Sequence, residues 1–423
     1  MTRHLLRLVW NRKRSNLLIA VEMLLSFIVL TAVATVAVFY LDNLRKPLGF
    51  DVDRIWTISI DMHADRANSS ITVQSGPDDA AAPQAPVDRG YREQRARIAR
   101  LLLALGDMPE VEAVAAAFIT PYSGNTWNSD IEVGGRIFRY GSNEATDDFA
   151  RVMGLEVLRG RWFSRDDDGA AWAPVVVNER LAREMFPDKD PVGQFVADER
   201  PGERQDRRMR IVGVIREFRK DGEYAAPENF LFNRNRLDDS SLEAQPPREI
   251  VIRVRPGTTA DFEEKAVARL RAAEPEWTFQ TEQLSQSRET AHKLWLAPLA
   301  AATVISVFLL VMVAMGLTGV LWLHVTQRTQ EIGLRRANGA TVADVRRQLV
   351  GEVALLTGVA TMVGVALVAQ LPVLDVFSVV SPAVYATSIG ISLVCIFALT
   401  LACAWMPARV ASSVEPAEAL RYE

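Results

Sequence analysis

The chain has little of the side-chain chemistry on which disulfides and most catalytic sites depend. Among its 423 residues there are two cysteines and four histidines. Cys395 and Cys403 lie in one apolar run, where the rise of a helix would separate them by about 12 Å. They therefore cannot form a disulfide within the chain. The long polar region 42–293 contains no cysteine, as is common for a domain large enough to bury its own core.

The scarcity of histidine and the lack of a phosphate loop narrow the function classes further. Only His63 and His292 lie within 42–293, so a hydrolase site built on a histidine base is difficult to assemble there. The pattern GxxxxGK(S/T) does not occur, and any ATP must therefore be handled by another subunit. The formal charge of −4 is too small to indicate a nucleic-acid partner. No catalytic residue and no cofactor are predicted in this chain.

Two acidic clusters have a composition that resembles metal ligands: Asp61, His63 and Asp65, and Asp166, Asp167 and Asp168. The first has a lone histidine beside a polar loop, which is a poor basis for a metal site. The second lacks the glutamate that closes a calcium loop, and we interpret it as a solvated turn. No metal site is predicted.

Charge is absent from the whole of 294–323, which as a helix is about 45 Å long and can cross a bilayer. Trp295 and Trp322 lie near its ends, at the spacing of the two headgroup layers. Three further spans are predicted at 17–41, 351–371 and 383–406. A transmembrane helix is favoured over a buried helix of a soluble protein.

The first span has a competing interpretation as a secretory signal, because the basic leader 1–16 precedes it and small residues occur within it. The run is too long for a signal and ends in aromatic residues, which favours a membrane helix. Glu22 and Glu352 are the acidic residues of the spans. Both lie near the predicted cytoplasmic ends, where hydration or packing is favoured over a proton relay. Gly316, Gly319, Gly358 and Gly364 are predicted to allow close helix approach.

Orientation follows from the basic residues, which are retained on the cytoplasmic side. The leader carries five bases and no acid, and the segment 324–350 is also rich in arginine, whereas the short connection 372–382 has only Asp375. Both termini, including the tail 407–423, are therefore predicted in the cytoplasm. The region 42–293 and the short connection 372–382 are predicted outside.

The region 42–293 has the mixed pattern of an α+β domain inserted between the first and second spans. A mobile loop is predicted at about 63–90, a charged hairpin tip at 197–209, and an inserted subdomain or loop at about 219–248. Strands are predicted at 55–60, 111–119, 131–133, 175–177, 211–215 and 250–254, and helices at 91–106, 178–186 and 260–273.

The charged segment 324–350 between the second and third spans, here named the coupling segment, is predicted to contain a short helix. Asn338 and Gly339 form a turn suited to end that helix, and Thr341 with Asp344 has the spacing of a capping box for the next. A basic loop that only fixes topology is the alternative. Glu331 among the arginines argues against it, because such an anchor has no use for an acid.

The residues of this segment carry a resemblance to FtsX-like permeases, the superfamily that includes MacB exporters and the LolC/LolE lipoprotein-releasing subunits. The motif residues are Arg328, Thr329, Glu331, Ile332, Gly333, Arg335, Arg336, Ala337, Gly339 and Ala340. The outer region resembles a MacB-like periplasmic core through Gly160 to Phe163, Asp167, Pro174 to Asn178, Met185 to Pro187, Asp190 to Gln194 and Ile211 to Val214. The end of the chain, Pro407 to Arg409 and Glu415 to Leu420, also fits the family pattern. Asn338 departs from it.

The resemblance implies a non-catalytic permease subunit of an ATP-driven export or extraction complex in the inner membrane, with its large domain in the periplasm. Its ATPase-coupling residues would be those motif residues other than Ala337, and ATP and Mg would be bound by a dimer of separate ATPase subunits. A second permease, identical or paralogous, is implied, and a periplasmic adaptor with an outer-membrane channel is allowed. The alternative is a signal transmitter that regulates a periplasmic enzyme or sensor without transport. The sequence does not identify the substrate.

Overall fold

The computed structural model describes residues 13–62, 85–196, 208–238, 245–327, 334, 340–374 and 379–413. The helices are α1 Lys13–Leu44, α2 Ala85–Gly106, α3 Phe149–Met153, α4 Glu179–Met185, α5 Asp261–Ala273, α6 Leu284–Gln327, α7 Val342–Val368, α8 Gln370–Val373 and α9 Pro382–Ser413. The strands are β1 Ile55–Asp61, β2 Val111–Ala117, β3 Asn128–Val133, β4 Arg136–Ala145, β5 Val157–Gly160, β6 Ala173–Asn178, β7 Met209–Ile215, β8 Phe230–Arg234, β9 Glu249–Val254 and β10 Thr278–Gln283. Two compact units result: a membrane unit of residues 1–42 and 294–423, and an outer unit of residues 43–293.

Within the part of the chain that the structure describes, four helices are long and apolar enough to cross a membrane. The candidate spans are Ile19–Leu44, Leu284–Gln327, Val342–Pro372 and Pro382–Val410. Large apolar side chains on α6 are exposed, including Val304 at 70%, Phe308 at 62% and Met315 at 68%. A surface of this kind is unstable in water and is the surface that lipid covers.

Small and hydroxyl side chains bring the helices of the membrane unit together. A Cβ added at Gly364 of α7 would lie 2.5 Å from the ring of Phe27 on α1, so this glycine permits a close contact. The buried Thr357 hydroxyl lies 3.4 Å from the sulfur of Met23 and 3.3 Å from the hydroxyl of Thr400 on α9. Van der Waals contact and short hydroxyl contacts are the usual means of association between membrane helices.

The glycines and acids predicted for this unit have different roles. Gly316 on α6 allows the carboxylate of Glu22 to approach, because an added Cβ would lie 3.0 Å from one of its oxygens. Gly319 and Gly358 have open space around them, so the prediction of close approach is wrong there. Glu352 accepts a hydrogen bond from Gln348 one turn earlier at 3.2 Å. Glu22 is thus packed against α6, and Glu352 is bonded within α7.

The last helix does not end at Pro407, contrary to the prediction of a helix over 383–406. It continues to Ser413, with Pro407 inside it. A proline removes the one hydrogen bond that its nitrogen would have donated to the carbonyl of Cys403, but the following turn can be held by packing. Ala408, directly after the proline, is only 1% exposed, and its burial explains why the helix persists.

The outer unit is built on one mixed sheet of ten strands. The strand order is β10-β1-β9-β2-β4-β8-β6-β7-β5, and β3 pairs with β4 as a hairpin. The pairs β4–β8 and β6–β7 are parallel, and the other pairs are antiparallel. Helices α2 and α5 pack on the end that holds β1, β9 and β2, and α4 packs on β6, β7 and β8. A cluster rich in phenylalanine forms a further part of the core.

Two predictions for the outer unit are corrected by this sheet. The loop predicted at about 63–90 ends earlier, because α2 begins at Ala85 and has Pro86 in its first turn, where a proline costs no helical hydrogen bond. The stretch 219–248 is not an insertion, since β8 lies between β4 and β6 in the sheet. Polar residues surround this five-residue strand and hid its buried Phe230, Leu231 and Phe232.

The other predicted strands and helices of the outer unit are present with shifted ends. Sequence reasoning missed β4, β5, β10 and α3, which are short or lack a clear apolar alternation. Residues 63–84 of the predicted loop and 197–207 of the predicted hairpin tip lie outside the described residues, as do His63 and Asp65.

Candidate functional site

Most of the predicted coupling residues lie outside the described residues. These are Arg328, Thr329, Glu331, Ile332, Gly333, Arg335, Arg336 and Gly339. Ala340 is described and is half-buried. The described parts of the membrane unit therefore show how the coupling segment is held at its two ends.

The predicted capping box at the start of α7 is confirmed. The backbone nitrogen of Asp344 donates to the Thr341 hydroxyl at 3.2 Å, and the backbone nitrogen of Thr341 donates to the Asp344 carboxylate at 3.0 Å. These reciprocal bonds satisfy two backbone donors that the first turn of a helix leaves free. The residue at which α7 begins within the coupling segment is thereby fixed.

Four buried side chains from three helices meet close to the two ends of the coupling segment, and we name them the base cluster: Val325 on α6, Val345 and Leu349 on α7, and Ala408 on α9. Beside them, the guanidinium of Arg346 lies 5.3 Å from the ring centroid of Trp405, a cation–π contact between α7 and α9. The end of α6 and the start of α7, which form the two ends of the coupling segment, are thus packed together and against α9.

The family-like motif at 160–167 has a structural role in the outer unit. Arg161 donates to both carboxylate oxygens of Asp167, at 2.7 and 2.5 Å, and the nitrogen of Ser164 donates to the same carboxylate at 3.0 Å. The Asp167 side chain is 1% exposed, so the prediction of a solvated turn is wrong for this residue. Burial would raise the pKa of Asp167, but the bonds from Arg161 and Ser164 outweigh it and hold that pKa below its usual value.

Asn178, in the second family-like motif, joins three parts of the outer unit. Its side-chain oxygen accepts from the nitrogens of Leu181 in α4 and Phe230 in β8, both at 3.1 Å. Its amide nitrogen donates to the Glu228 carbonyl at 2.7 Å and to the Glu217 carboxylate at 2.8 Å. Every side-chain bond serves the fold, and none is left to hold a ligand.

A second polar site, not predicted from the sequence, surrounds the turn at 219–225. The side chain of Arg219 is fully buried and donates to four backbone carbonyls. Nη1 donates to Asn43 and Lys46 at 2.9 and 3.1 Å, and Nη2 donates to Glu223 and Ala225 at 2.7 and 2.6 Å. Without this guanidinium, four carbonyls from two backbone segments, 43–46 and 223–225, would lose their common donor.

Glu223 continues this site toward the start of α6. One carboxylate oxygen accepts from Nε of Arg288 at 2.5 Å, and the other lies 3.1 Å from Nε2 of His292 and from the hydroxyl of Tyr122. The Glu223 side chain is only 6% exposed. We name Arg219, Glu223, Tyr122, Arg288 and His292 the stalk clamp.

The charges of the stalk clamp shift its pKa values. Burial would raise the pKa of Glu223, but the hydrogen bond with His292 and the charge and hydrogen bond of Arg288 outweigh it and hold that pKa below its usual value. Burial, aided by the adjacent Glu223 carboxylate, raises the pKa of Tyr122, so the phenol stays a hydrogen-bond donor at neutral pH. Burial lowers the pKa of Arg219. At neutral pH the site therefore joins an ionised Glu223 carboxylate to a neutral Tyr122 phenol that donates to it.

Sequence reasoning missed the stalk clamp because charged runs between hydrophobic segments are usually solvated. The run Arg219 to Glu223 lies within the stretch interpreted as an insertion, and its partners are far away in the chain. Gly222, at a φ of +83°, was one usable signal, since a glycine in a charged run marks a tight turn.

Among the described residues, no group of three or more histidine, cysteine, aspartate or glutamate side chains is placed to hold a metal ion. The two cysteines on α9 are free thiols.

Comparison with known proteins gives two family matches and a set of relatives. Residues 31–272 match the family described as MacB-like periplasmic core domain, and residues 303–416 match FtsX-like permease C-terminal. The chain is 28% identical to the macrolide export ATP-binding/permease protein MacB of Chromobacterium violaceum, over 65% of this chain and 42% of that protein. It is 24% identical to the pyoverdine export ATP-binding/permease protein PvdT of Pseudomonas savastanoi pv. phaseolicola, over 76% of this chain and 47% of that protein.

The chain thus spans less than half the length of these two relatives. Among solved structures, the periplasmic region of MacB from Actinobacillus actinomycetemcomitans aligns with 59% of this chain and 98% of its own, at 14% identity and a TM-score of 0.37.

Proposed function

The chain belongs to the FtsX/MacB-like family of ABC transporter permeases, as a membrane protein with a large extracytoplasmic domain, and from this premise we propose that it transmits motion. In this proposal, an ABC ATPase dimer binds the coupling segment and closes on ATP. The movement passes through the membrane unit and changes the shape of the outer unit, which drives export or extraction of a substrate. No route for the substrate through the bilayer is needed.

The observation that carries this proposal is the base cluster. Val325 and Val345 lie close to the two ends of the coupling segment and are buried against each other's helices and Ala408. A force applied to the coupling segment would therefore reach α6, α7 and α9 together. Arg328, Thr329, Glu331, Ile332, Gly333, Arg335, Arg336, Gly339 and Ala340 are proposed as the ATPase contacts.

The remaining partners and the orientation belong to the same proposal. ATP and Mg would be bound by the ATPase subunits, and a second permease, identical or paralogous, would complete the complex. The termini would be cytoplasmic and residues 42–293 periplasmic, with a periplasmic adaptor and an outer-membrane channel in the export version. Relatives named for macrolide and pyoverdine export make these two molecules the first substrates to test.

The coupling assignment is tested by Arg336→Glu and by deletion of 328–339 in the full chain. We expect either change to reduce copurification of the ATPase by about tenfold or more, because each removes a contact of the coupling segment. Arg151→Glu, a charge reversal at a side chain 66% exposed in the outer unit, is the matched control and should leave copurification intact. Normal copurification and ATP hydrolysis in both coupling variants would show that the assignment is wrong.

Orientation is tested with a single reactive cysteine at Ile137, which is 74% exposed on β4, in a chain whose two native cysteines are replaced by serine. A membrane-impermeant maleimide should label it from the periplasmic side of intact cells. Labelling only after the cytoplasm is opened would reverse the proposed topology.

A further inference from the structure

Both chain connections between the outer unit and the membrane unit enter the outer unit at the stalk clamp. One connection is the end of α1, where Asn43 and Lys46 place their carbonyls on Arg219. The other is the start of α6, where Arg288 and His292 bind Glu223. A single turn of the outer unit, 219–225, therefore holds the two segments through which any movement must arrive.

We propose that Glu223 is the positioning residue that converts a displacement of α6 into a rearrangement of the outer unit. This inference rests on the proposed function and names the side chain through which it acts. Arg288 and His292 are four residues apart, so they share one face of the helix, and Glu223 accepts from that face at two points one turn apart. Two contacts along one helix fix its rotation as well as its position.

Tyr122 binds Glu223 and so connects α6 with the strands of the outer unit. The Tyr122 hydroxyl donates to Glu223, and its backbone nitrogen donates to the carbonyl of Lys220 at 2.8 Å. Tyr122 has a φ of +65°, a conformation that non-glycine residues rarely adopt. A backbone held there is over-determined by its surroundings, and such residues cluster at sites that switch.

Gly222 closes the turn against the same ring. It has a φ of +83°, and an added Cβ would lie 2.4 Å from the ring of Tyr122. The backbone, ring and hydroxyl of Tyr122 thus all contact the turn 219–225. We expect the tyrosine and the turn to move together. From Tyr122 the chain leads to β3 and the hairpin that it forms with β4, so a shift of Glu223 would be passed toward the edge of the sheet.

Burial and directionality distinguish this site from ordinary ion pairs of the outer unit. Glu156 and Arg216 form a salt bridge at 2.7 Å, but their side chains are 56% and 49% exposed. Exposed pairs have weak and easily replaced interactions. The Glu223 side chain is 6% exposed and that of Arg288 is 40% exposed, so the buried partner of this pair is the acid, which also binds Tyr122 and His292.

The test uses the full chain with its copurified ATPase in lipid nanodiscs and compares wild type, Glu223→Gln and the matched control Glu156→Gln by hydrogen exchange. Without nucleotide, we expect Glu223→Gln to speed exchange at residues 284–293 by about tenfold, because the helix start loses its charged anchor. Unchanged exchange there would overturn the clamp, and this arm requires no ATPase activity.

The second arm compares the nucleotide-free complex with one trapped by ATP and vanadate. In wild type and Glu156→Gln, trapping should change exchange at 118–127 and 219–225. In Glu223→Gln, that change should fall to about a third or less while ATP hydrolysis stays within about twofold of wild type. If trapping changes exchange in Glu223→Gln as much as in wild type, the positioning role is wrong. It is also wrong if ATP hydrolysis and the exchange change on trapping fall by the same factor.

If Glu223→Gln does not fold, the milder variant Tyr122→Phe tests the same proposal. Tyr122→Phe removes only the hydroxyl that donates to Glu223 and leaves both of the carboxylate's contacts to α6. The proposal predicts normal exchange at 284–293 with a reduced trapping response at 118–127. An undiminished response would contradict it. If trapping changes nothing even in wild type, the proposed function fails, and the first arm still decides whether the clamp exists.

Discussion

The base cluster and the stalk clamp lie at opposite ends of α6 in sequence and hold that helix by different physics. The base cluster is made of valine, leucine and alanine side chains, whose attraction depends on contact area and hardly on direction. The stalk clamp is made of buried charges and hydrogen bonds, which work only within narrow ranges of distance and angle. The close packing of the base cluster would carry a movement of α6 over an area, and the directional bonds of the stalk clamp would carry it through single atoms.

The largest effect is expected when Arg219, the central cation of the stalk clamp, is replaced. Arg219→Met keeps much of the side-chain volume but leaves four carbonyls without their donor. We expect the free energy of unfolding of the outer unit to fall by about 3–5 kcal/mol. Thermal unfolding of the full chain in detergent, followed by tryptophan fluorescence, measures this.

The control for Arg219→Met is Arg183→Met, whose side chain is 75% exposed on α4 and should change little. If both variants unfold at the wild-type temperature, the stalk clamp contributes nothing to stability and the contrast with the base cluster disappears.

A buried acid outside the clamp sharpens the comparison, because it is buried without a cation in contact. Glu249 on β9 accepts from the hydroxyl of Ser59 alone among the bonds described, at 2.9 and 3.0 Å, and burial raises its pKa to about 7. A raised pKa means that the folded state favours the protonated acid. Its stabilising contribution is complete below about pH 4.5 and is lost as the pH rises through about 7.

We therefore expect wild-type protein to lose up to about 3 kcal/mol of stability between pH 4.5 and pH 8, and Glu249→Gln to lose much less. Melting temperatures at these two pH values test this. Glu282→Gln, on β10 two strands away in the sheet, where the residue is exposed, is the matched control. Equal pH dependence in wild type and Glu249→Gln would be the contrary result.

The apolar packing of the membrane unit can be tested at the contact between α1 and α7. Gly364→Leu would force a side chain into the ring of Phe27, whereas Gly358→Leu, on the same helix, enters open space. We expect Gly364→Leu to cost about 1–3 kcal/mol and Gly358→Leu to be tolerated. Yield of monodisperse protein and its melting temperature in detergent measure both. Equal behaviour of the two variants would show that the α1–α7 contact is not tight.

The smallest effect is expected at the start of α7, within the coupling segment. Thr341→Ala removes the hydroxyl that caps α7 and should cost about 1 kcal/mol, while Thr341→Ser should restore most of it. Hydrogen exchange of the first turn of α7 reports the change. Equal exchange in Thr341→Ala and wild type would mean that the capping box does not fix this helix start.

The contrast between the two regions also explains what could be predicted from the sequence. Long uncharged runs and the spacing of Thr341 and Asp344 are local signals, so the membrane helices and the cap could be predicted. Pro407 misled the prediction because the burial of Ala408 outweighs a local helix-breaking signal. The strand β8 and the stalk clamp were missed because they depend on contacts between residues far apart in the chain. The predicted ATPase contacts from Arg328 to Gly339 stay predictions.

The central claim is that ATP binding by an ATPase held on the coupling segment changes the outer unit. It is tested most directly by hydrogen exchange of residues 43–293 in the intact complex, with and without ATP and vanadate, in wild type and after deletion of 328–339. The account predicts that trapping alters exchange in the wild-type outer unit and leaves the deletion variant unchanged. A wild-type outer unit that does not respond, or a deletion variant that responds fully, would contradict it.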